Sequence, residues 1–147
     1  MSLEDWLKYG WLARHTSSKQ EIQGLLEAAD RDLANAGTPG LSPDWQLNIA
    51  HNAALLVATA ALAACGYRAA RESHRYRVLQ SLEHTLGVDG VTLAQLELFR
   101  KKRNLAGYER AGTVSEQEAR EMIGLAERLR AMIVEWLRTN HPELLVE

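Results

Sequence analysis

The stretch "DWQLNIAHNAALLVATAALAACG", residues 44–66, constrains the fold more than any other part of the chain. From Ala53 to Cys65 only Thr59 interrupts a run of small and apolar side chains. A helix that is apolar on every side has to be covered on several sides, so this segment reads as the central element of a packed helical domain. Its alanines let neighbouring backbones come close, within the domain or across a dimer interface. Ser42 supplies an N-cap, Pro43 fits the first helical position, and Gly66 marks the stop. The 13-residue run falls short of the ~20 residues that a membrane span needs, so no membrane is expected.

The remaining segments also carry helical period, and none alternates as a strand would. A first short helix is expected over Leu3–Arg14. Ser18 with Glu21 fits a capping box opening a helix to Ala36, with Gly37 as its stop. "TPGLSP" is the clearest loop. A helix of about Arg71–Leu86 ends at Gly87, Thr92 and Gln95 fit a second capping box, and Ser115 with Glu118 opens a last long helix that ends before Pro142. With no repeat and no linker, residues 1–147 read as one all-α domain, an antiparallel up-down bundle of about five helices. A chain of this length buries roughly 70% of its unfolded surface without staples. The single cysteine, Cys65, reads as a small buried hydrophobe. "MSLEDWLKYGW" has no apolar core of signal length, and the expectation is a cytoplasmic protein.

Charge is distributed unevenly. The net charge is −2, yet residues 68–110 hold nine of the 17 basic and five of the 19 acidic residues, so that segment carries +4 and the rest −6. A phosphate-bearing partner would account for this. So would a solvated face paired with acids of other helices. Arg68, Arg71, Arg75 and Arg77 surround His74, and on a continuous helix Arg71, His74 and Arg75 share one face. Placed beside Arg100–Arg103, they would extend one cationic surface. Asn48, His51, Asn52 and Thr59 form a polar stripe on the apolar helix, either a satisfied hydrogen-bond network or the backing of a polar site. No second ligand stands at metal spacing from His51, and no metal or cofactor is expected. Trp6 and Trp11, among Leu3, Leu7 and Leu12, read as core or dimer contacts. Glu83, Asp89 and Glu97 show no pairing that points to carboxylate catalysis.

In "RKKRNLAGYERAG", Arg100, Asn104 and Tyr108 fall at i, i+4 and i+8 on a helix, with Arg103 beside them and Leu98 and Leu105 directed to the core. Gly107 and Gly112 favour a turn there. An arginine fork with an amide and a phenol suits a phosphate oxygen and a ribose hydroxyl, and suits helix-end carbonyls equally well.

The Arg-Asn-x-x-x-Tyr pattern late in a helical chain, preceded by "NIAHNAALLVATAAL" and "RESHRYRVLQSLEHTLG", resembles the HEPN superfamily, helical nucleotide-associated domains of prokaryotic toxin and defence systems. The resemblance covers most of residues 44–136 by architecture, and its specific part is the Arg-Asn motif. It implies a homodimer that brings two motifs together, acting either as a metal-independent ribonuclease or as the non-catalytic partner of a nucleotidyltransferase or antitoxin. Arg103 then corresponds to the motif arginine and Asn104 to the polar residue after it. Tyr108 stands where active members carry histidine. A phenol near pKa 10 is a poor base at neutral pH compared with an imidazole near 6.5, and losing such a group costs on the order of 10²–10⁴ in rate. The resemblance therefore implies a domain that binds nucleotide, RNA phosphate or a protein partner through Arg103, Asn104 and Tyr108; by charge and spacing, Arg71, Arg75, Arg100 and Lys101 would extend that surface, backed by Asn48, His51 and Asn52. The competing readings are a ribonuclease using Arg103 and Tyr108, and a structural or regulatory dimer module.

Overall fold

The computed structural model describes residues 1–72, 74–108 and 113–145, the side chains of residues 104–108 excepted. In chain order the elements are α1 (Leu3–Lys8), β1 (Leu12–Arg14), α2 (Lys19–Ala36), α3 (Pro43–Ala64), β2 (Tyr67–Ala69), α4 (His74–Gln80), α5 (Leu82–Thr85), α6 (Gly90–Tyr108) and α7 (Glu116–Asn140), followed by a short 3-10 turn at Pro142–Leu144. The protein is predominantly α-helical, a bundle arranged around α3.

Helix α3 packs against α2, α7, α6, α4, α5 and β2. Twelve of its residues are buried, eight of them alanine or valine, so the neighbouring helices approach its backbone closely. Ile22, Leu26 and Ala29 of α2 and Met122, Leu125, Leu129 and Ile133 of α7 close over it at the i, i+3, i+4 spacing of amphipathic helices. Among the described residues α3 alone is long and apolar enough to cross a membrane, but 67% of its most apolar stretch is buried inside the bundle. Its start follows the sequence signals: the Ser42 hydroxyl accepts from the Trp45 amide and Pro43 opens the first turn. Ser115 and Glu118 likewise form the full capping box of α7.

Several local expectations are corrected. The first helix stops at Lys8, because Gly10 takes φ +78 and turns the chain into β1. Strands β1 and β2 pair antiparallel, Leu12 opposite Ala69 and Arg14 opposite Tyr67, although neither shows alternation over only three residues. Ser18 does cap α2, but the Glu21 carboxylate bonds His15 Nε2 at 2.6 and 2.8 Å instead of closing the box. The helix expected over Arg71–Leu86 begins at His74 and breaks at Ser81, whose buried hydroxyl donates to the Val78 carbonyl and competes with the helical ladder. Asp89, not Thr92, caps α6, its carboxylate accepting from the Thr92 amide in the first turn at 2.7 Å. Leu98 is 54% exposed, and Leu93, Leu96 and Phe99 occupy the core instead.

Candidate functional site

Helices α3, α4 and α6 contact one another pairwise. Leu93, Leu96 and Phe99 seat α6 in the core. That rotation leaves Arg100 and Arg103, one turn apart, on a partly buried flank. Val78 and Leu79 seat α4, and Arg75 at its second position is also partly buried. On α3, His51 is wholly buried, and the fields of Arg103, Arg75 and Arg100 all act on it.

His51 registers this surrounding. Burial, and then the Arg103 charge, push its pKa from 6.5 down to about 4, with Arg75 and Arg100 adding to the effect. The Leu96 backbone pulls the other way, more than Arg75 or Arg100 contributes, although neither ring nitrogen has a hydrogen-bond partner among the described residues. At neutral pH the ring is therefore an uncharged imidazole, able to donate at one nitrogen and accept at the other. Asn48 Oδ1, one turn before it, and Arg75 Nη1 are buried and unpartnered in the same way.

Arg100 holds Glu97 in a bidentate pair, Nε to Oε2 at 2.9 Å and Nη2 to Oε1 at 2.7 Å. The hydrogen bond from Arg100 keeps the Glu97 carboxyl below the usual carboxylate range, and the same pair raises the Arg100 pKa. Glu97, which in the sequence shows no pairing that points to carboxylate catalysis, is the carboxylate that orients one arginine of the cluster. Beside it His74, Arg75, Tyr76 and Arg100 line an open cavity of about 330 Å³. A cavity of about 500 Å³ under the 37–43 loop has only Arg120 as a cationic lining residue.

Of the residues marked by sequence, Arg75, Arg100, Arg103, His51 and Asn48 belong to this one region. Lys101 is exposed on α6, and Lys102 is committed to Glu118 of α7. Arg71 is exposed and precedes α4, so it shares no helix face with His74 and Arg75. Asn52 turns to α2, donating to Asp32 Oδ2 at 2.8 Å, and the Thr59 hydroxyl bonds the Leu55 carbonyl, so the polar stripe divides after His51. The side chains of Asn104 and Tyr108 lie outside the described residues. Tyr76 was missed, its signal being an aromatic placed between Arg75 and Arg77. Among the described residues no three His, Cys, Asp or Glu side chains are grouped to hold a metal ion.

No protein-family model, curated protein or solved structure matches the chain.

Proposed function

We propose that this chain is a cytoplasmic, HEPN-like, non-catalytic domain that binds the phosphate of a nucleotide or RNA strand at Arg75, Arg100 and Arg103. One observation carries the reading: in a protein of net charge −2, Arg75 and Arg100 from two helices line one open cavity, with Arg103 one turn along α6 from Arg100. Arg75 has a buried Nη1 without a partner among the described residues, and Arg100, held in place by Glu97 through Nε and Nη2, keeps its Nη1 hydrogens for an anion in the same cavity. The non-catalytic part rests on the phenol of Tyr108 in the place of the family histidine and on His51 being sealed from solvent. A homodimer belongs to the same proposal. Val91, 80% exposed, and Leu98, 54% exposed, stand seven residues apart on one side of α6 and would supply its apolar contact. A nucleotidyltransferase or antitoxin of a toxin–antitoxin or defence system is the protein partner this reading would take.

Calorimetry with pyrophosphate and nucleoside triphosphates tests the claim. Binding by the wild type, at least tenfold weaker in Arg75→Ala and Arg103→Ala with unchanged circular dichroism, is the expected result. Equal binding in these variants would refute the site. RNA cleavage in excess chelator that disappears in Arg103→Ala would overturn the non-catalytic part.

A further inference from the structure

A chain of aromatic and guanidinium contacts leads away from this cluster across the surface. Arg100 lies over the Tyr76 ring at 5.8 Å, and Arg77 lies over the same ring at 5.5 Å. The Arg77 guanidinium also sits on the face of Trp11 at 3.6 Å, and Trp11 meets Tyr9 with ring centroids 5.0 Å apart. These five side chains come from α6, α4 and the α1–β1 turn. What brings the last two together is Gly10: its positive φ lets Tyr9 and Trp11 fold side by side, with the Trp11 amide bonded back to the Trp6 carbonyl.

Structure alone accounts for part of the chain. Trp6 is buried against Trp11 and His84, and Arg77 ties that cluster to α4. It does not account for Tyr9. That ring ends the series, is 60% exposed and adds nothing to the core. At the other end, Tyr76 and Arg100 border the cavity lined also by His74 and Arg75. Alternating rings and guanidinium planes are what an unpaired strand uses, since every base presents a π-face and every linkage a negative charge.

We infer that the strip from Arg100 to Tyr9 binds a single-stranded nucleic acid of more than one nucleotide, its phosphates at Arg75, Arg100 and Arg103 and a following base stacked on Tyr9. This rests on the phosphate reading and adds to it the polymer and its path. Arg77 holds Trp11 flat, so the platform for Tyr9 exists before the strand arrives and little ordering is needed on binding.

The experiment is fluorescence anisotropy with a labelled uridine octamer and its thymidine deoxy counterpart, beside calorimetry with pyrophosphate, on the full chain. Tyr9→Ala should bind the strands roughly ten- to a hundredfold more weakly, the scale of one lost stacked base, while holding pyrophosphate as the wild type does. Tyr9→Phe, which keeps the ring, should restore strand binding. Tighter binding of either octamer assigns the sugar, and equal binding assigns a strand read without regard to it. Both support the inference. Wild-type affinity of Tyr9→Ala for both octamers would overturn it and leave the phosphate site standing. Failure of the wild type to bind pyrophosphate or either octamer would overturn both.

Discussion

Replacing His51 by leucine should change how the protein responds to acid more than how stable it is at neutral pH. The ring is wholly buried, and its pKa falls from 6.5 to about 4 through burial and then through Arg103, Arg75 and Arg100. Above pH 6.5 neither the folded nor the unfolded chain protonates it. As pH falls from 6.5 toward 4, the unfolded chain takes up a proton that the folded chain refuses. The folded state therefore loses stability through that window. At ~1.36 kcal/mol per pH unit the full loss is about 3 kcal/mol, most of it complete by pH 4.5. Glu118, Asp5 and Asp89, whose carboxyls sit below their ordinary values, also make the fold acid-sensitive, but equally in both proteins. Glu97, held low by Arg100 first and by the His51 ring last, adds a smaller contribution in the same direction as the ring. The difference between the two proteins therefore reports mainly the ring. At pH 7.5 the leucine also removes two buried nitrogens without partners, so His51→Leu should be at least as stable as the wild type there. Urea unfolding of both proteins at pH 7.5 and 4.5 reads the result: the variant should gain about 2–3 kcal/mol relative to the wild type between the two conditions. Parallel losses in the two proteins would refute a buried histidine held neutral in the folded state.

Two further outcomes follow from the packing. Glu118→Ala removes both the reciprocal half of the α7 capping box and the partner of Lys102 on α6, and should cost about 1–2 kcal/mol by urea unfolding; no measurable cost would mean that neither contact contributes. Leu98→Glu alters an exposed position, so the proposed dimer should dissociate in sedimentation while circular dichroism stays the same. An unchanged oligomeric state would remove α6 from the interface.

The fold was legible where single residues decide it. The apolar run of α3 could be covered only as the middle of a helical domain, and Ser42-Pro43, Gly37 and the Ser115–Glu118 pair mark ends that the structure keeps. It was less legible where one residue chose between partners. Glu21 went to His15, Ser81 to its own helix, and Asp89 to the first turn of α6, and nothing in local spacing ranks those choices. A three-residue strand is too short to show a period, so β1 and β2 left no signal beyond Gly10 and Gly66.

The candidate site follows the same division. The basic character of Arg75, Arg100 and Arg103 could be read directly, but their common action on His51 is a consequence of how α3, α4 and α6 rotate against one another. Asn52 looked equivalent to Asn48 until Asp32 of α2 claimed it. Leu98 looked like core because a helix with apolar residues at 93, 96, 98 and 99 has more of them than one face can bury.

The most direct test of the arginine cluster as a phosphate site is to follow the His51 ring by nitrogen-15 NMR while pyrophosphate is added at pH 7. A bound anion among Arg75, Arg100 and Arg103 screens the charges that depress the ring's pKa. The account therefore predicts saturable shifts at His51, a pKa that moves upward from about 4, and loss of both effects in Arg103→Ala. A His51 signal that stays unmoved as pyrophosphate saturates, or that moves equally in Arg103→Ala, would contradict it.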